Sequence, residues 1–109
     1  MTKITVKQLN DGWLFDCEGH SGFAKSGGDI VCAGISALCM ALAERSQELT
    51  DENIAKSTRI NVCDGEVHIR LETDSDKLKE ILLKNTVETV MAGFKAIEEK
   101  YPEYVYCDW

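Results

Sequence analysis

The chain has 109 residues, 44% of them hydrophobic and 28% charged, the proportions of an ordinary folded domain, which argues against a disordered or fibrous polypeptide. A formal net charge of −7 repels phosphate backbones and anionic lipid, so a basic polypeptide is a more natural partner than nucleic acid or a membrane. The most apolar stretch, Ile30 to Ala43, is broken by Gly34 and Ser36 and is too short to span a bilayer; with no signal peptide in view, a cytoplasmic protein with reduced cysteines is expected.

At this length one compact domain, 1–109, is expected. Ile4 to Leu9 and Trp13 to Cys17 read as two short strands around Asn10-Asp11-Gly12, residue types that tolerate the positive φ of a tight turn. Ile30 to Glu48 reads as a helix, because Val31, Ile35, Leu38 and Leu42 recur at helical spacing. Charges appear in it only from Glu44 onward, so its first half is expected to be buried. A second hairpin follows around Asp64-Gly65, with Ile60 and Val62 alternating in Thr58 to Cys63, and Val67, Ile69 and Leu71 alternating in Glu66 to Glu72.

Thr73 to Asp76 offers N-caps for a second helix. Its buried stripe is expected at Leu78, Ile81, Leu82, Val90, Met91, Phe94 and Ile97, and Glu80 with Lys84 fits a solvent-facing pair. Pro102 should end that helix, leaving Glu103 to Trp109 as an aromatic-rich tail against the sheet or a second subunit. The predicted fold is α+β: a two-layer β-β-α-β-β-α arrangement in which two helices pack on one four-stranded sheet. The two halves share this pattern, though scarcely their residues.

The connection from Gly19 to Asp29, which contains Gly19, Gly22, Gly27 and Gly28, is the segment whose composition suggests function. With Asp29 as N-cap, Cys32 lies in the first turn of the helix, where unpaired backbone amides and the helix dipole favour a thiolate. The same amides suit the oxyanion of an attacked peptide carbonyl. His20 ends the second strand, and the glycine-rich loop would let it approach Cys32 as a general base. Each residue also has a plain structural reading, Cys32 as a buried packing thiol, His20 as a surface histidine and Asp29 as a helix cap.

Phe23 suits a hydrophobic latch or a substrate contact, and Lys25 and Ser26 read as solvated loop residues. Cys17, Cys39, Cys63 and Cys107 read as packing residues, and His68, on the strand face opposite Val67 and Ile69, as exposed. Ser36 reads as a helix serine bonding back to its own helix, with contact to the site as the alternative. Cys17, His20 and Cys32 suggest at most a weak metal site, because no second close-spaced ligand pair exists. Neither a metal nor another cofactor is expected, and no phosphate-binding loop or dinucleotide fingerprint is present.

Gly19-His20-Ser21-Gly22, followed by Gly27-Gly28-Asp29-Ile30-Val31-Cys32-Ala33-Gly34-Ile35-Ser36, resembles the signature of the Prp family, the ribosomal-processing cysteine proteases of bacteria. The order of motifs and the chain length agree with that family across essentially the whole sequence. The resemblance implies Cys32 as nucleophile, His20 as general base, Asp29 at the adjacent acidic position, and a mobile substrate-binding loop containing Ser21, Gly22, Phe23, Gly27 and Gly28. It also implies a homodimer that removes the short N-terminal extension of large-subunit ribosomal protein L-twenty-seven, a basic partner, after an aromatic residue. Ser21 and Gly34 depart from the family's commonest residues. A non-catalytic ribosome-assembly or protein-binding module, or a small metal-binding protein, are the alternative readings.

Overall fold

In the computed structural model, which describes residues 1–19, 30–63 and 65–109, side-chain alternation builds a sheet with one buried face. β1 (Thr2–Leu9) and β2 (Gly12–Glu18) form an antiparallel hairpin, with Leu9 opposite Gly12 and Lys3 opposite Glu18. Thr2, Ile4 and Val6 of β1 and Trp13, Phe15 and Cys17 of β2 point into the core. β3 (Ser57–Cys63) and β4 (Glu66–Glu72) repeat the arrangement, and β4 pairs antiparallel with β2. α1 (Ile30–Asp51) and α2 (Lys77–Lys100) form the second layer.

A fifth strand, β5 (Val105–Asp108), corrects the four-stranded expectation: the sheet order is β3-β4-β2-β1-β5, with β5 parallel to β1. Val105 and Cys107 are buried between the more exposed Tyr106 and Asp108, so the expected tail is a short strand docked on the sheet. The Thr2 amide donates to the Tyr104 carbonyl at 2.9 Å, and the Cys107 amide donates to Glu98 Oε2 at 2.6 Å. β5 is thereby tied both to β1 and to the end of α2.

α2 begins as expected, with Asp76 accepting the Lys79 amide at 3.0 Å. Its buried stripe, however, is Leu83, Val87, Val90 and Phe94, whereas Leu78, Ile81 and Leu82 are exposed. Residues two apart on a helix point to nearly opposite sides at about 100° per residue. Ile81 and Leu83 therefore cannot share a face, and the ridge that continues down the helix is the one that packs. Phe94 is fully buried and stacks on Phe15 with ring centroids 5.5 Å apart. Gly93 lets α1 come close, since a Cβ there would sit 2.9 Å from the Leu38 side chain.

In α1 the buried positions are Val31, Ile35, Cys39, Leu42, Ser46 and Leu49. The expectation of a wholly buried first half is corrected by Ile30 and Met40, 59% and 64% exposed. Met40 faces a groove rather than the sheet core.

Candidate active site

β2 runs out at Glu18, and Gly19 follows with φ +97°, the left-handed side of backbone space that favours glycine. Its amide donates to the Gly65 carbonyl at 2.8 Å, and a Cβ on it would meet the Met1 carbonyl oxygen at 2.5 Å. The chain is therefore held firmly at the residue just before His20. Cys32, the third residue of α1, is half-buried. It lies in the turn whose backbone amides have no carbonyl four residues earlier within the helix.

Cys32 and Gly19 line one groove of about 530 Å³. One wall is a stripe of α1 at helical spacing, Cys32, Ile35, Ser36, Cys39, Met40 and Ala43; the other is Val62, Cys63, Gly65, Glu66 and Val67 from the β3–β4 hairpin. Thr2 and Cys17 lie beneath, and Glu44 and Glu66 are exposed carboxylates on the rim. Exposed Met40 and Val62 (64% and 60%) give the walls apolar surface open to solvent. The arrangement suits an extended apolar peptide laid beside a thiol, with a negative rim toward basic flanking residues. Ser36, one turn beyond Cys32, belongs to this wall.

The other proposed site residues, His20, Asp29, Ser21, Gly22, Phe23, Gly27 and Gly28, lie outside the described residues, as do Lys25, Ser26 and Asp64. Of the cysteines read as packing residues, Cys17, Cys39 and Cys107 are buried, but Cys63 is exposed, its thiol donating to Asn61 Oδ1 at 3.3 Å. Burial, with the Glu98 carboxylate beside it, pushes the Cys107 thiol up to about 11. Cys17 and Cys39 do have partners, namely each other: a hydrogen bond from Cys39 favours the Cys17 thiolate and holds the proton on Cys39.

His68 is half-buried on the sheet face away from the helices, more enclosed than expected. Its Nδ1 lies 2.6 Å from Asp16 Oδ1 and its Nε2 3.5 Å from Glu66 Oε2, and the hydrogen bond to Asp16 raises its pKa. Among the described residues no three His, Cys, Asp or Glu side chains gather as a metal site, and no helix is long and apolar enough to cross a membrane.

Sequence reasoning missed the groove itself. Its signal was present in Met40 and Val62, large apolar side chains that the core does not use.

The family model described as "Cysteine protease Prp" matches residues 1–106. A curated protein of Staphylococcus aureus, "Ribosomal processing cysteine protease Prp", is 34% identical over 110 residues, covering 96% of this chain and 95% of that protein. A crystal structure of the S. aureus essential ribosomal processing protease Prp with a covalently linked product peptide shares the fold, with a TM-score of 0.79 at 24% identity over 99% of this chain and 98% of that one. A second S. aureus Prp structure, with a substrate peptide, superposes with a TM-score of 0.73 at 23% identity, again over 99% of this chain and 98% of that one.

Proposed function

This chain belongs to the cysteine protease Prp family, and from that premise we propose that it removes the short N-terminal extension of large-subunit ribosomal protein L-twenty-seven, with Cys32 as nucleophile and His20 as general base. The observation that carries this reading is the shared groove. Cys32, in the first turn of α1, and Gly19, the residue before His20, line the same peptide-sized cleft.

His20 takes the thiol proton, or holds an ion pair with the thiolate, and the sulfur attacks the scissile carbonyl. The first-turn amides of α1 receive the oxyanion. Imidazolium then protonates the leaving amine, and water activated by His20 hydrolyses the acyl-enzyme. Asp29 orients His20 or caps the helix, and the loop containing Ser21, Gly22, Phe23, Gly27 and Gly28 closes over bound peptide to exclude water.

The apolar walls support an extension with apolar and aromatic residues on the acyl side of the cut. The acidic rim and the net charge of −7 support a basic partner in the cytoplasm. The enzyme acts as a homodimer and needs no cofactor. In S. aureus the relative is described as ribosomal processing and has been captured with substrate and product peptides, which supports a ribosomal-protein peptide here.

The test is mass spectrometry of a peptide spanning the extension of the host's ribosomal protein L-twenty-seven, incubated with wild-type, Cys32→Ala and His20→Ala enzyme. A single cut by wild type alone, with both variants folded, is the expected result. Turnover by Cys32→Ala would reject the nucleophile, and no cut by freshly reduced wild type would reject the substrate.

A further inference from the structure

The wall that α1 gives the groove has an order along its length. Residues four apart on a helix form a continuous ridge, and here that ridge reads Cys32, Ser36, Met40 and Glu44: a thiol, a hydroxyl, a thioether and a carboxylate, all lining the groove. Cys32 is half-buried and the other three are exposed. Glu44 is the last residue that α1 contributes, so the wall ends in a negative charge. Among the described residues no hydrogen bond or ion pair reaches its carboxylate, and the neighbouring Arg45 is turned to Glu48 and Glu52, at 3.3 and 3.5 Å. Glu66, the carboxylate on the opposite wall, differs in having His68 Nε2 3.5 Å away.

We propose that Glu44 is a specificity-determining residue of the groove, which receives a lysine or arginine side chain of the bound peptide five or six residues before the scissile bond. This rests on the proteolytic function proposed above and deepens it by fixing a position in the substrate. Glu44 comes twelve residues after Cys32, about 18 Å along the helix axis at 1.5 Å per residue. An extended peptide advances about 3.3 Å per residue, so five or six residues span that distance. Those residues lie before the cut, because the apolar surface between thiol and carboxylate, Met40 on one wall and Val62 on the other, suits the apolar acyl side of the extension.

A substrate cation at Glu44 gains its attraction without breaking an existing pair. Because the carboxylate is exposed, the gain is modest, about threefold to fivefold in affinity at low salt, and it fades as added salt screens the charges. The contact is remote from the reacting atoms and is the same in the bound ground state and the transition state, so it lowers KM and leaves kcat unchanged.

The experiment measures steady-state cleavage of N-acetylated peptides spanning the ribosomal-protein extension, in which one lysine replaces alanine at each acyl-side position in turn. The enzymes are full-length wild type, Glu44→Gln, Glu44→Lys and, as a charge-matched control, Glu88→Gln, which removes an exposed carboxylate of α2 outside the groove. In wild type and Glu88→Gln, KM should be about threefold to fivefold lower with lysine at the fifth or sixth residue before the cut than with alanine there. Glu44→Gln should lose that preference, and Glu44→Lys should reverse it, favouring glutamate over lysine at the same position. No preference in wild type, a preference that survives in Glu44→Gln, or one centred on the second or third residue would each overturn the proposal. Labelled copies of the same peptides are also titrated against Cys32→Ala and Cys32→Ala, Glu44→Gln proteins. Binding that shows the lysine preference without cleavage by wild type would reject the protease reading and keep the Glu44 contact, whereas neither binding nor cleavage would reject both.

Discussion

Gly19→Ala, set against Gly12→Ala, separates the support of the site from the stability of the sheet. The two glycines bracket β2, and each would place a Cβ against backbone: Gly12 at 1.8 Å from the Leu71 carbonyl oxygen, Gly19 at 2.5 Å from that of Met1. Gly19 adds a φ of +97°, for which an L-residue pays about 1–3 kcal/mol. Relief of its contact requires the strand end to move by roughly 1 Å, and strain of that kind adds about 1–3 kcal/mol. The sum, about 2–6 kcal/mol, is a large part of the roughly 5–15 kcal/mol that holds a domain of this size together.

Gly12→Ala should also be costly, but it disturbs the far end of β2, away from the groove. Urea midpoints should fall for both variants. With kcat/KM measured at a temperature where each is folded by circular dichroism, Gly19→Ala should lose at least about tenfold, equivalent to about 1.4 kcal/mol of transition-state stabilisation, and Gly12→Ala much less. Equal kcat/KM losses in the two folded variants, or an unchanged midpoint in Gly19→Ala, would refute the claim that Gly19 anchors the end of β2 that leads into the proposed site.

Phe94→Ala removes a fully buried ring stacked on Phe15 and should cost about 3–5 kcal/mol in denaturant unfolding; a loss below about 1 kcal/mol would mean that the packed ridge of α2 is misassigned. His68, its pKa raised by Asp16, binds its proton more tightly folded than unfolded. Its stabilising contribution is therefore complete below the ordinary value of about 6.5 and is lost as pH rises through the folded value. The His68 ring resonances should accordingly titrate higher in wild type than in Asp16→Asn, with His20→Ala used for assignment, and a coincident titration would remove the pair from the account.

The hairpins and both helices were legible because their patterns are local: Asn10-Asp11 between alternating strands, Asp76 before a long periodic run, and Val31, Ile35 and Leu42 along one ridge of α1. β5 was not legible as a strand. It has only four residues, follows a proline closely, and takes its hydrogen bonds from a strand at the opposite end of the sequence. In α2 the expected Val90 and Phe94 are buried and Met91 and Ile97 pack against the core, but the first turns depart from expectation because Leu78, Ile81 and Leu82 make a short apolar ridge of their own. Only the sheet decides which ridge is buried. Cys32 could be placed at a helix start from sequence, but its groove could not, since the opposite wall comes from a hairpin about thirty residues later.

The parallel union of β1 with β5 also shapes how the chain is assembled. Thr2 meets Val105, a closure across about a hundred residues whose entropic cost is roughly 4 kcal/mol for a flexible chain. It cannot form during synthesis until β5 has left the ribosome, whereas the two hairpins and their β2–β4 seam can pair before then. Until that moment β1 presents an unpaired edge of the kind that recruits foreign strands. The groove with Cys32 lies toward the opposite border of the sheet, beside β3 and β4, so the docking of β5 covers the exposed edge of β1 while leaving the side with the groove open.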